Sequence, residues 1–410
     1  MKQSENKPIQ IIERYQMKKR NMHNIRFFIY VLKRGGSSLK KYSLLLFCML
    51  LILAGCVKES DDQTSKQAIK EQEPKTEKEE KSHMTLTAVG DILIHDRVYN
   101  VAKTGKRYDF EPMLKEMEPY LQAGTVTFAN QESVMGGSKL GVSTYPSFNS
   151  PKEIGEQLKE YGVDVVNLAN NHTLDRGEDA ILSSIKHWKD LDMMYFGAYE
   201  SKEDQETLRV YDTEEGISLG FVGYTYGTNG IEVPAGKEYL VNYIDREQMK
   251  KDIQEANQKA DVTVVSLHFG IEYETNPNQE QKELVQLAAD EGADIVLGHH
   301  PHVLQPVEWL EGKDGHQTFV AYSLGNFFTG QEELANRIGG ILNLEIEKDK
   351  DGEIEIHSPS FMPTYVSHGD WKMQPLYRVT KKELKQADKE YEETKKHMSK
   401  WVKDLEFPEE

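Results

Sequence analysis

Ala293-Asp294-Ile295-Val296-Leu297-Gly298-His299-His300-Pro301-His302 is a short apolar run that stops on a glycine and three imidazoles. A run of that length bounded by turn-formers reads as a buried strand. A strand that ends on such a cluster presents it at the carboxyl edge of an α/β sheet, where the crevice opens and metal ligands collect. The arrangement recurs. Val165-Val166-Asn167-Leu168-Ala169 runs into Asn170-Asn171-His172, and Val262-Thr263-Val264-Val265-Ser266-Leu267 runs into His268. Other apolar runs end on Gly90-Asp91, with His95 four residues further on, on Asn130-Gln131-Glu132, and on Ser323-Leu324-Gly325-Asn326. Function is expected where these ends meet.

Outward from that stretch, strands are expected at 85–89, 125–129, 163–169, 194–197, 218–224, 262–267, 294–297, 318–323 and 341–346. Helices are expected at 152–161, 178–190 and 278–291, where apolar residues recur at helical spacing. Strand followed by helix is the α/β pattern. The later strands are separated by loop instead, so antiparallel pairing is expected at a sheet edge. No fixed period repeats, which argues against a solenoid or propeller. Residues 376–410 end in a charged stretch in which Leu384, Tyr391, Met398, Trp401 and Leu405 are spaced for a peripheral helix, with a solvated tail as the alternative.

The chain has 410 residues, ample for a large core. Residues 1–42 are polar and basic and run into an apolar stretch at 43–54 that is too short for an ordinary spanning helix. Residues 1–55 read as an export signal, and Leu53-Ala54-Gly55-Cys56 resembles the lipobox of bacterial lipoproteins, with Cys56 the lipidated residue. An uncleaved anchor helix is the alternative; either reading puts the bulk of the protein on the extracytoplasmic face of the cell membrane. Residues 56–83 carry too little apolar surface to offset the entropy of ordering and are expected to be a tether. Both cysteines, Cys48 and Cys56, fall in the leader, so the remainder has no disulfide to form. The net charge of −18 hides an asymmetry: residues 56–410 hold 39 Lys and Arg against 66 Asp and Glu, a formal charge of −27. That excludes a nucleic-acid partner, which needs a basic footprint. An anionic polymer needs a metal or a local basic patch to dock.

Carboxylates mixed with neutral imidazoles at the strand ends suit Mn, Zn or Fe; calcium would want more carboxylates and no histidine, and a structural zinc site would want thiolates. Each piece also has a plainer reading. Gly90-Asp91 fits a turn, Asn171-His172 a helix N-terminal cap, and His268 a satisfied core histidine. His300 and His302, flanking Pro301, are the hardest to explain as packing, whereas His299 suits a supporting position. Tyr211, Tyr224 and Tyr226 fit core and edge-strand aromatics better than a sugar-binding stripe.

Gly90-Asp91, Asn130-x-Glu132, Asn167-Leu168-Ala169-Asn170-Asn171-His172, His268-x-Gly270, Gly298-His299-His300-Pro301-His302-Val303 and Ser323-Leu324-Gly325-Asn326-Phe327 together resemble, in order and spacing, the CapA family of poly-γ-glutamate capsule synthesis proteins. The resemblance covers residues 84–375. It implies an α/β fold of the calcineurin-like metallophosphatase type, a sandwich of two mixed β-sheets flanked by α-helices, with metals at the strand ends. By the same resemblance, Asp91 is a ligand of a first metal, Glu132 the bridging carboxylate, and Asn171, His268 and His300 ligands of a second. His302 belongs to the first metal, and His172 is the general acid. His95, Asn130, Ser323 and Asn326 are implied to shape the pocket. One position departs: the superfamily generally places histidine two residues after the first aspartate, and here that residue is Leu93. One or two divalent ions are therefore expected, held roughly 3.5–4 Å apart if there are two.

The resemblance implies a lipid-anchored protein of poly-γ-glutamate capsule or exopolymer biosynthesis or export, working with membrane components of that machinery on the anionic polymer or a precursor. A metal-dependent phosphoesterase or wall-polymer hydrolase unrelated to capsule is a second possibility. A non-catalytic assembly factor is a third.

Overall fold

In a computed structural model of the chain, residues 81–409 are described. The expected export signal, Cys56 and nearly all of the expected tether lie outside them. The first strand, β1 (Ser82–Leu93), starts earlier than the expected domain boundary at residue 84, because Ser82 and His83 already pair with Lys348 and Glu347.

β1 is followed by β2 (Val126–Asn130), β3 (Val165–Asn167) and β4 (Met194–Phe196), all parallel to one another. The chain then builds a second sheet from β5 (Arg209–Asp212), β6 (Ser218–Thr225), β7 (Val262–His268), β8 (Ile295–His299), β9 (Leu304–Glu311) and β10 (Gln317–Leu324), in the order β9-β10-β8-β7-β6-β5. It returns to the first sheet with β11 (Asn326–Thr329), β12 (Ile338–Lys348), β13 (Ile354–Val366) and β14 (Met373–Pro375). Among the described residues the first sheet runs β14-β13-β12-β1-β2-β3-β4, with β11 alongside β1. Both sheets are mixed: β12, β13 and β14 pair antiparallel, as do β9 with β10 and β5 with β6. The antiparallel edge expected from the loop-linked late strands is therefore present.

Period-two alternation explains how the sheets stack. Leu86 and Ala88 of β1, Phe128 of β2, Val262 and Val264 of β7 and Ile295 and Leu297 of β8 share one core between the sheets. Their alternates face helices. Val265, Leu267 and Val296 meet Met249 and Ile253 of α4 and Leu284 and Ala288 of α5, where α4 is Arg246–Lys259 and α5 is Gln279–Asp290. On the outer side of the first sheet lie α1 (Asp96–Ala102), α2 (Glu153–Glu160) and α3 (Gly177–Asp190), which bury Val98, Leu158 and Trp188 beside Ile92 and Val166. The result is the expected α/β sandwich of two mixed sheets flanked by helices. A last helix, α6 (Ala387–Met398), buries Ala387, Tyr391 and Met398 in the inter-sheet core cluster, as a peripheral helix would. No helix among the described residues is long and apolar enough to cross a membrane.

Candidate metal centre

The carboxyl ends of β1, β2, β7 and β8 meet, as hydrogen bonds and close contacts among Asp91, Asn130, His268 and His300 show. Asp91 ends up fully buried beside Asn130, whose amide donates to Asp91 Oδ1 at 2.7 Å and lies 3.4 Å from His268 Nδ1. Asn167 in turn donates to Asn130 Oδ1 at 2.9 Å. Asn130 is thus a strut between two donor residues. Directly after β8 the backbone turns through left-handed conformations at His300 (φ 97°) and His302 (φ 59°), an uncommon state for residues with a Cβ that is found where a site dictates it. This turn aims both rings back over the sheet edge, and the His300 amide donates to Asp91 Oδ2 at 3.2 Å.

Three overlapping groups of donors result, each with its ligand atoms within 4.8 Å of one another: Asp91, Glu132 and His302; Glu132, His268 and His300; and Glu272, His300 and His302. The first two are wholly buried and meet at Glu132. Asn171 joins the second, its Oδ1 accepting from His268 Nε2 at 2.7 Å. Nδ1 of His302 lies 3.3 Å from Asp91 Oδ2, 3.6 Å from Glu132 Oε2 and 3.1 Å from Asn326 Oδ1. Both oxygens of Glu132 and Nδ1 of His300 are buried without a hydrogen-bond partner among the described residues. Buried polar atoms are rarely left so, and a divalent cation among carboxylates and imidazoles would supply what is missing. The donor set fits a metal.

Its electrostatics are those of a site waiting for cations. Burial pushes Glu132 well above the usual carboxylate range, and the charges of Asp91 and Glu272 add to this against the pull of His302. Burial acts on Asp91 in the same sense, but hydrogen bonds from His299 and His302 outweigh it and hold that carboxyl well below its ordinary value. For His302 burial favours the neutral ring, yet Glu132 and Asp91 prevail and lift it to about 9. Burial, reinforced by neighbouring imidazoles, depresses His268 strongly and His300 to about 3, so both rings stand neutral with lone pairs to give.

Above the donors opens a cleft of about 460 Å³, lined on one side by Tyr145, Phe148 and His172 and on the other by Glu272, Tyr273 and His302. No Lys or Arg is among its lining residues. His172 donates from Nδ1 to Asp175 Oδ2 at 2.7 Å, which leaves Nε2 for the cleft, and Asp175 is itself fixed by the Phe148 amide at 2.7 Å. A positioned imidazole with its tautomer set by a carboxylate is built to move a proton.

The other expected positions fall around this centre. His95 lines the cleft but shares Nδ1 with the Leu93 carbonyl (3.0 Å) and the Gly330 amide (3.3 Å); burial depresses its ring to about 4, and it enters none of the three donor groups. Leu93, in the position of the absent histidine, is a buried cleft wall. Asn130, Ser323 and Asn326, expected to shape the pocket, lie behind the cleft's lining residues. Ser323 donates to Val303 O at 2.8 Å and Asn326 to His302 O and Asn336 O, so both brace the turn that carries His302. His299 packs on Phe128, ring centres 5.6 Å apart, with Nδ1 3.5 Å from Asp91. Tyr224 is core, but Tyr226 is half exposed with its ring 4.6 Å from that of His300, which the sequence reading of a plain edge aromatic did not foresee. Asp175 and Glu272 were not anticipated either. The available signal was their spacing, three residues after His172 and four after His268.

Residues 85–331 match the family model described as bacterial capsule synthesis protein PGA_cap. The chain is 31% identical over 260 residues to the capsule biosynthesis protein CapA of Bacillus anthracis, which covers 62% of this chain and 61% of that protein, under two thirds of its length. It is 29% identical over 290 residues to the PGA biosynthesis protein CapA of Bacillus subtilis strain 168, covering 70% and 74%. Among solved structures, the NAD nucleotidase of Haemophilus influenzae aligns over 76% of this chain and 56% of its own at 11% identity, with a TM-score of 0.43.

Proposed function

The chain belongs to the bacterial capsule synthesis family PGA_cap, and on that premise we propose that it is a lipid-anchored protein on the extracytoplasmic face of the membrane that acts in poly-γ-glutamate capsule or exopolymer biosynthesis. In this reading Cys56 carries the lipid, the expected tether of residues 56–83 links it to the domain, and membrane components of the synthesis or export machinery are its partners. The cleft binds one end of the polymer or a phosphorylated precursor. The observation that carries the reading is the pair of buried donor groups joined at Glu132 beneath a cleft that also holds His172.

Asp91, Glu132 and His302 would hold one divalent ion, Mn, Zn or Fe, and Glu132, Asn171, His268 and His300 a second. Such ions supply Lewis acidity to a phosphoryl or acyl oxygen and charge to an otherwise acidic pocket. The protein's own groups do the rest. Asp175 holds His172 in the tautomer that presents Nε2 to a leaving group, and Asn130 and Asn326 keep Asp91 and His302 in place. Tyr145 and Tyr273 flank the opening. Since no Lys or Arg lines the walls, an acidic chain is engaged at a single carboxylate or phosphate, not along its length.

Removing the gene and measuring surface γ-glutamyl polymer tests this directly. Loss of polymer, restored by the wild-type gene but not by Asp91→Asn, is expected; unchanged polymer sinks the proposal. The oriented pair His172–Asp175 also suits a phosphoesterase or wall-polymer hydrolase unrelated to capsule. That second reading predicts metal-dependent turnover of simple phosphoesters together with intact surface polymer in the deletion strain.

A further inference from the structure

The third donor group differs from the other two in one respect. Glu272 is exposed, whereas Asp91, Glu132, His268, His300 and His302 are buried. Its carboxylate lies within 4.8 Å of one nitrogen each of His300 and His302, so it reaches one imidazole from each of the buried groups. Glu132 joins those groups from beneath. Glu272 faces them from the solvent side, across the mouth of the cleft it lines.

The loop that carries it is held to do so. Gly270 (φ 97°) and Tyr273 (φ 70°) bracket it in left-handed conformations, the second uncommon for an aromatic residue. Glycine suits residue 270, since its φ of 97° is one that side chains rarely adopt and a Cβ would also come within 2.7 Å of the Gln281 side chain. The Tyr273 amide donates to Pro301 O at 2.8 Å, which ties the loop to the turn between His300 and His302. Nδ1 of His300, a residue of the same donor group as Glu272, is buried without a hydrogen-bond partner among the described residues. An exposed carboxylate placed beside one imidazole from each of the two buried donor groups has the metals those groups would hold as its counter-charge.

We infer that Glu272 is a displaceable ligand of the metal centre: its carboxylate occupies a solvent-side coordination position at rest and yields it to a phosphoryl or carboxylate oxygen of the substrate. This rests on the reading of the buried groups as a metal site. The exchange is a substitution of one oxygen ligand for another, with no change in oxidation state. It confers discrimination, because a weak neutral ligand such as water or a hydroxyl does not displace a carboxylate, whereas a phosphate does.

The test uses the full-length protein with Mn²⁺ and inorganic phosphate as probes. Mn²⁺ affinity is measured by calorimetry, and phosphate affinity on the Mn-loaded protein. Glu272→Gln is expected to lower Mn²⁺ affinity by about tenfold or more and to tighten phosphate binding several-fold by removing its competitor. Glu272→Asp keeps the charge but shortens the reach by one methylene, so as a ligand it also weakens Mn²⁺ binding, whereas a charge acting only through space would be retained. Wild-type affinity for both probes in Glu272→Gln, or wild-type Mn²⁺ affinity in Glu272→Asp, overturns the inference and leaves the metal site standing. Absence of Mn²⁺ binding in the unsubstituted protein overturns both.

Discussion

His302 carries a proton where the cluster invites a metal. Its ring is raised to about 9 by Glu132 and Asp91, and Glu132 itself is pushed up by burial. At neutral pH His302 therefore holds a proton that an incoming cation must displace, and burial favours the protonated form of Glu132 as well. Metal uptake is expected to release protons, and apparent affinity to climb as pH rises toward 9, where His302 gives up its proton without help. Calorimetry in buffers of different ionisation enthalpy measures this; affinity that is flat between pH 6 and 9 would contradict it. Asp175 is a positioning residue, and Asp175→Asn should leave metal content unchanged while lowering turnover or polymer rescue by about a hundredfold or more through the wrong His172 tautomer. Equal activity would show that His172 needs no such partner. The sequence made Asp91, His172, His300 and His302 legible because each stands at or shortly after the end of an apolar run. It hid Glu272 and Asp175, whose side chains reach the site only because a loop turns through left-handed backbone or folds under Phe148.

At the scale of the element, the glycines before the ligands matter as much as the ligands. A Cβ on Gly298 would stand 2.0 Å from the Tyr322 carbonyl oxygen, and one on Gly90 1.9 Å from that of Gly325. β8 can lie against β10, and β1 against β11, only because these positions are bare. Gly298→Ala should therefore destabilise the fold by about 1–3 kcal/mol, the usual range for overpacking, and weaken metal binding as His299 and His300 are displaced. A denaturation midpoint within error of wild type would refute the close approach. All nine strands expected from apolar runs are present, and each expected helix lies within two residues of its predicted bounds. Missed were the short β5, β11 and β14 and the longer β9 and β13; these last two contain Pro306, Pro359 and Pro363. Proline argues against a strand unless the position needs no amide donor. β9 is the edge of its sheet, and β13 is bulged against β12 near Pro359. Both exceptions are tertiary, and local pattern does not encode them.

For the whole molecule, two sheets with one shared core bring strand ends separated by more than 200 residues to a single point: Asp91 accepts from the His300 amide. Residues 56–410 carry a formal charge of −27, and no Lys or Arg lines the cleft. The proposed function has an anionic substrate engaged through bound cations, so it depends on the buried donors holding them. The most direct test is elemental analysis of the purified full-length protein after equilibration with Mn²⁺ or Zn²⁺ at pH 8, beside Glu132→Gln. Two ions per chain in the unsubstituted protein, and loss of both or retention of at most one in the variant, is the predicted result for a carboxylate shared between two sites. A wild-type protein that retains no ion, or a variant that retains as many as wild type, would contradict the account.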